Sequence, residues 1–563
     1  MIASSRTRNA QFWLYALAFG LALLLRLLRL GFWPLTEAEA GPALQAFDLL
    51  KGVQPALGPQ PAYALLTALV FFVAQASDLA ARLIPALFGA ALVLTPYFFR
   101  DRLGEKPAWV LAFLLAFDPG LLALSRLAGS PVMALSALVL AWGLWRANRF
   151  SAAGASLGLA LLCGPQFWPG VLGLLIAAGL SRNLADAQTP AVDRASALRA
   201  LAYAAGTYLV LGSFFLLAPG GLSGGAQSLI VYLGGWIDFS DVPAWRLLLA
   251  LAVYQFPALI LAGIALVRGL WQRQTLEMSL GAWLLVSLTL ALAYPSRQVA
   301  DLAWVLIPLG ALAALEVSRH LGALIEHPWE TYGMLAVTAI ILFFCGINLT
   351  NLALVPMDAQ AMSLRWVLLA VSLALLALSV GMVAYGWSPA VARQGAAWGV
   401  LLVFSIYTLS AGMAAAGLRT YRTVELWSPG MNIEQAHSLA GQLGEISHWR
   451  IGPNLAPLDV TVSGLDSAAL RWTLRNWNAS FIPSLDITAS PSVLITPAQA
   501  DSPALQAGYR GQDMIWRTAP LWNQLPASDW RHWIALHSLP QEQESIILWV
   551  RSDIFIDSQN NMP

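Results

Sequence analysis

The sequence predicts an all-α polytopic membrane protein of about 13 spans, followed by a C-terminal α/β domain outside the membrane. Three observations predict it. Only 11% of the 563 residues are charged and 58% are hydrophobic, with a mean hydropathy of +0.65. An ordinary soluble domain carries about 25% charged residues, so too few charges are present to cover a water-facing surface of this size. Apolar stretches recur along residues 10–416 at lengths suited to a bilayer. Beyond residue 417 the composition changes. Residues 1–417 hold 22 Lys/Arg and 17 Asp/Glu, whereas 418–563 hold 9 and 13, together with nine of the 24 tryptophans and four of the six histidines.

Taken in order, Met1–Asn9 is polar, carries Arg6 and Arg8, and leads directly into the first apolar stretch. No small-residue cleavage site follows and Arg26 and Arg29 interrupt its end, so it reads as a span rather than a signal peptide. Residues 31–78 form the first outer loop. In it Ala38–Lys51 has helical spacing and ends at Gly52, a natural C-cap, and 62–76 reads as a helix lying on the membrane surface. Further spans fall at about 79–99, 107–124, 131–146, 150–163, 168–181, 200–218, 246–267, 277–294, 302–317, 331–352, 365–387 and 395–416.

The arginines give the orientation. Arg6, Arg8, Arg100, Arg102, Arg146, Arg149, Arg182, Arg194, Arg199, Arg268, Arg273, Arg319 and Arg393, with Lys106, fall in loops of one side, which the positive-inside rule makes cytoplasmic. An odd number of spans then places the N-terminus inside and residues 418–563 outside an inner (plasma) membrane. In that tail, 435–448 and 467–477 read as helices and 460–463, 493–496 and 546–550 as strands.

A net charge of +1 with only two lysines, Lys51 and Lys106, leaves no nucleic-acid footprint. Cys163 and Cys345 lie in apolar stretches and suit neither a disulfide framework nor a metal site. His532 and His537 have no carboxylate or cysteine companions in sequence. The chain calls for no cofactor and leaves a divalent-metal requirement open.

Ionisable groups near lipid are costly and mark sites. They gather on the outer side: Glu37 and Glu39 in the first loop, Arg82 opening the second span, Asp118 and Arg126 in FDPGLLALSRLAGSP, Asp238 in GGWIDFSD, and Arg297 and Asp301 in YPSRQVADLAW. Asp118 precedes Pro119 and suits the cap of a broken helix. Asp301, four residues after Arg297, suits an ion pair with it.

With its acidic first loop and amphipathic helix, its Asp118-Pro119…Ser125-Arg126 pattern and its Arg297…Asp301-Leu302-Ala303-Trp304 segment, the sequence resembles the integral-membrane glycosyltransferases of the GT-C fold. That class includes protein O-mannosyltransferases, lipid A aminoarabinose transferases and dolichyl-phosphate-mannose-mannosyltransferase-like proteins. LRWTLRNW and WVRSDIF in the tail look like the appended domain of a bacterial subgroup. The resemblance implies transfer of a sugar from a polyprenyl-phosphate lipid to an acceptor at the outer face. Glu39 or Glu37 would then be the base, and Arg126, Arg297 and Arg82 would bind the lipid phosphate, with Asp118, Asp301 and Asp238 in support. Two positions depart from the family pattern. Ala38 stands where an Asp normally precedes the Glu, and Pro131 stands where another Asp follows the Ser-Arg pair. These departures keep open a catalytically impaired relative acting as a structural subunit of an envelope complex. A lipid or solute transporter ranks third, because no internal repeat is visible.

Overall fold

The structure is a computed structural model and describes residues 2–53, 57–184, 193–321, 327–354, 359–420, 423–428, 430–451, 458–485, 490–498 and 507–556. Within some described helices the side chains fall outside this set, among them those of Arg6, Arg8 and Arg182. Among the described residues seven helices are long and apolar enough to cross a membrane, or nine if each of two bent pairs forms one span. The protein is therefore integral to the membrane. The other four expected spans are helices as well. Val132–Arg146, Phe150–Leu161 and Phe167–Leu184 are short in their apolar part, and Arg194–Gly212 is mixed in polarity.

The two bent pairs matter for function. Glu105–Phe117 and Pro119–Ser125 meet at 56°, with Asp118 accepting from the N–H of Leu121 (2.8 Å) and Pro119 at the first helical position. Asp118 is the cap of a broken helix, as its place before proline suggests. Ala244–Tyr254 and Phe256–Trp271 meet at 91°, where Pro257 has no N–H to continue the first ladder. These breaks deliver Arg126 and Tyr254 to the same end of the bundle as residues 31–78.

At the centre runs Val299–His320, whose apolar window is 94% buried. Tight crossings surround it. A Cβ on Gly170 would stand 2.0 Å from Trp304, and Cβ atoms on Gly154 and Gly158 would stand 2.1 and 2.3 Å from the carbonyl oxygens of Ala200 and Ala204. Gly154-x-x-x-Gly158 thus lets helix Phe150–Leu161 lie backbone to backbone on Arg194–Gly212, the usual way small residues join helices in lipid.

The C-terminal domain is a six-stranded mixed sheet of β1 (Asn432–Ile433), β2 (Asp459–Ser463), β3 (Asn478–Ile482), β4 (Val493–Pro497), β5 (Tyr509–Pro520) and β6 (Gln541–Arg551), in the order β1-β5-β6-β4-β2-β3. β2 runs parallel to β3 and β4, while β6 is antiparallel to β4 and β5. Helices Ala436–Ile451, Ala468–Thr473 and Ala527–Leu536 complete it. Its apolar core is continuous with that of the helices, through Trp427, Trp472 and Trp533. The sheet domain is packed onto the bundle.

Gly154→Val should destabilise the protein by about 1–3 kcal/mol, because the neighbour it meets is backbone and cannot swing aside. Thermal unfolding in detergent measures this; an unchanged melting temperature would show that the crossing is looser than described.

Candidate functional site

The site grows from the start of one helix. In Thr36-Glu37-Ala38-Glu39, Thr36 is the N-cap of Glu37–Leu50 and Glu39 is its third residue. Glu39 reaches back as a capping box does, accepting from the Thr36 N–H (3.0 Å) and hydroxyl (3.1 Å). The same carboxylate accepts Nε and Nη2 of Arg82 at 2.7 Å each and the N–H of Ala128 at 3.0 Å. Five donors therefore fill a side chain that is 1% exposed. Burial alone would raise this carboxyl, but the Arg82 charge and hydrogen bonds, with the two backbone N–H groups, hold it below the ordinary glutamate range.

Arg82 is equally engaged. Its remaining N–H groups donate to the carbonyls of Leu30 (3.2 Å), Trp33 (2.7 Å) and Pro34 (3.1 Å). Arg126 donates to the carbonyls of Leu25, Arg26 and Leu28, all at 2.9 Å, and of Ala416 at 3.0 Å. It thus caps the ends of two helices, Ile2–Leu27 and Pro389–Ala415, where unpaired carbonyls and the helix dipole favour a cation.

Residues two apart on a helix face apart, so Glu37 turns to the sheet domain. It accepts Nη2 (2.5 Å) and Nε (3.0 Å) of Arg517, the Ser467 hydroxyl and the Ala469 N–H (3.1 Å). Beside it Asp78 accepts from the Trp472 indole (2.6 Å) and pairs with His437 (2.7 Å). Arg475 donates to the Ala76 carbonyl (2.8 Å) and lies 4.0 Å over the Trp472 ring.

Two cavities open along this seam. A cavity of about 570 Å³ is walled by Arg29, Arg475, His437 and Asp78 on its polar side and by residues such as Leu27 and Leu79 on its apolar side. A smaller one, about 90 Å³, is walled by Glu39, Arg82, Arg126, Glu425 and Trp427. Arg29 and Leu30 line both. Arg29 sits in the left-handed region (φ 53°) just past the end of the first helix and lies 3.9 Å from the Phe32 ring, with no ion pair among the described residues.

The structure thus brings Glu39, Arg82 and Arg126 together, sets Glu37 on the tail side of the same helix, and holds Asp118 as a buried cap. The remaining candidates lie elsewhere. Arg297 donates to the Val242 carbonyl (3.3 Å), and Asp238 is exposed. Asp301 accepts from Gln166 and from the Gln298 N–H (2.7 Å) beside a 40 Å³ cavity, and forms no ion pair with Arg297 among the described residues. The suggested Arg297–Asp301 pair is replaced by a short capping turn. Sequence reasoning missed Arg29, Arg475 and Glu425 as site residues. The signal for Glu425 was an acid set among apolar residues, Val424-Glu425-Leu426-Trp427, just after the last span.

The chain is similar over nearly its whole length to the crystal structure of ArnT from Cupriavidus metallidurans bound to undecaprenyl phosphate. The identity is 13% and the TM-score 0.56, covering 95% of this chain and 97% of that one. ArnT from the same organism in the apo state aligns at 15% identity and a TM-score of 0.51, over 87% and 94% of the two chains. No family model and no curated protein matches the sequence. The fold is the GT-C fold that the sequence resemblance implied.

Glu39→Gln should cost about 3–5 kcal/mol, because it strands a buried guanidinium. Glu37→Gln should cost about 1 kcal/mol or less, its pair being partly exposed. The sign of the pH effect follows from the lowered Glu39 carboxyl: its contribution is full above the unfolded glutamate value near ~4.3 and is lost as pH falls through the lower folded value. Unfolding curves of the two variants between neutral and acid pH check both; equal losses would contradict the assignment of Glu39 as the stronger tie.

Proposed function

We propose that this protein is a membrane glycosyltransferase that moves a sugar from a polyprenyl-phosphate donor to an acceptor at the outer membrane face. The observation that carries this reading is an ArnT-like fold over 95% of the chain with a cavity, part charged and part apolar, at the seam of bundle and sheet domain. ArnT has been crystallised with undecaprenyl phosphate, which supports a lipid of that class.

The chemistry follows from the groups present. Negative charge grows on the lipid phosphate as the bond to the sugar breaks, and cations already in place lower that barrier. Arg82 and Arg126 were the sequence candidates; their N–H groups answer carbonyls and Glu39, so they serve the frame. Arg297 stands away from both cavities. Arg29, whose guanidinium has no hydrogen bond or ion pair among the described residues, and Arg475, whose Nε alone is left without a partner, border the large cavity and are assigned the phosphate, with the apolar side toward Leu27 and Leu79 taking the first isoprene units. Glu39 enters as a positioning residue that fixes the loop carrying this wall. The arginine bias supports a cytoplasmic N-terminus and an external sheet domain.

One observation favours a second reading, a non-catalytic GT-C relative that acts as a structural subunit. Both oxygens of Glu39 are filled, and Glu37 is bound to the sheet domain.

Purified protein given labelled polyprenyl-phosphate sugars should release the sugar to an acceptor. Arg29→Gln should lower kcat/KM on the order of 100-fold at unchanged melting temperature. No turnover by wild type with any donor would sink the enzyme and leave the structural subunit. A reporter fused after Pro563 should be active on the outer side of the membrane; cytoplasmic activity would overturn the orientation.

A further inference from the structure

Of the two acids lining the 90 Å³ cavity, one is filled and one is not. Glu39 has five donors. Glu425 is 7% exposed, and only its Oε2 is engaged, accepting from the Tyr254 hydroxyl and from Nδ1 of His537 (3.0 Å). Its Oε1 is buried without a hydrogen-bond partner, and so is the indole N–H of Trp427, two residues on and in the same wall. A buried carboxylate oxygen left unpaired is costly and calls for an explanation.

The segment that carries Glu425 is held from three directions. Val424 donates its N–H to the His537 carbonyl (2.9 Å) and accepts the Trp533 indole (2.7 Å), while the Leu426 N–H donates to the Tyr254 hydroxyl (3.2 Å). Tyr254 ends a helix at the 91° break, and His537 takes a left-handed conformation (φ 54°) that ends helix Ala527–Leu536. Two separate parts of the chain, the helix ending at Tyr254 and the helix capped by His537, thus orient one carboxylate whose other oxygen remains unpartnered. An open acceptor and an open donor in one wall suit a hydroxyl, which gives its proton to the first and accepts from the second.

We propose that the 90 Å³ cavity is the acceptor-hydroxyl subsite and that Glu425 is the catalytic base. This rests on the glycosyl-transfer reading. Glu425 Oε1 takes the proton as the acceptor O–H bond breaks. The acceptor oxygen forms a bond to the anomeric carbon, and the bond from that carbon to the phosphate oxygen breaks, its electron pair leaving with the lipid phosphate. The proton then passes from Glu425 to solvent. Arg29, shared by the walls of the two cavities, stands between the leaving phosphate and the entering hydroxyl. The base thus comes from the segment after the last span, and the ion-paired carboxylate of the first loop is spared.

The test uses the full chain in detergent with a labelled polyprenyl-phosphate sugar. Glu425→Gln should lower kcat by 100-fold or more, the usual effect of losing a general base, with donor KM and melting temperature kept. Formate, small enough to replace the lost carboxylate, should restore part of the turnover of Glu425→Ala. That variant decides the matter, at equal folded fraction, should Glu425→Gln fold poorly. Wild-type kcat in Glu425→Gln, or no rescue of Glu425→Ala, would overturn the assignment and leave glycosyl transfer standing. An inactive wild type would instead remove the glycosyl-transfer reading, and this inference with it.

Discussion

The ion pair between Glu39 and Arg82 governs the rest of the structure. A charge beside lipid cannot be left to water, so each partner must be answered by protein. Here one carboxylate and one guanidinium answer each other and also gather the carbonyls of residues 30, 33 and 34, the helix start at Thr36 and the turn at Ala128. Three stretches of chain, around residues 30–39, 82 and 128, are fixed to one point. Once Glu39 faces inward, helix geometry turns Glu37 outward, and Glu37 becomes the tie to Arg517 and Ser467 of the sheet domain. Burial opposes the charge on Arg517, but its bonds to Glu37 and Glu544 hold the guanidinium more firmly protonated than usual.

The arginines around the seam are put to definite work. Arg126 serves two helix ends, Arg82 serves the pair, and Arg475 bridges Ala76 and Trp472 through its two Nη groups, its Nε staying open beside the large cavity. What is left at the seam among the described residues includes the Arg29 guanidinium, with neither hydrogen bond nor ion pair, and the Glu425 Oε1, without a donor, on the walls of adjoining cavities. Opposite charges that remain available after the frame is complete are what a group transfer from a phosphate to a hydroxyl needs.

Much of the fold was legible because apolar length is a local signal. Each expected span meets a helix, and the cap at Asp118 was readable from Asp118-Pro119. Helix Gly220–Gly234 escaped notice because its glycines conceal an apolar run. β3 and β5 did so because they are half-exposed and polar on one face, and β6 begins five residues earlier than its apolar part. At the site, Thr36-x-x-Glu39 already spelled a capping box and so the structural half of Glu39's role. The meeting of Glu425 with Tyr254 and His537 joins residues 171 and 112 positions apart, which no local pattern records.

The most direct measurement is a structure of the protein with undecaprenyl phosphate bound. The seam assignment requires phosphate density beside Arg29 and Arg475 in the 570 Å³ cavity, with the lipid leaving along Leu27 and Leu79. Lipid bound elsewhere on the bundle, or no binding at concentrations that saturate ArnT, would contradict it.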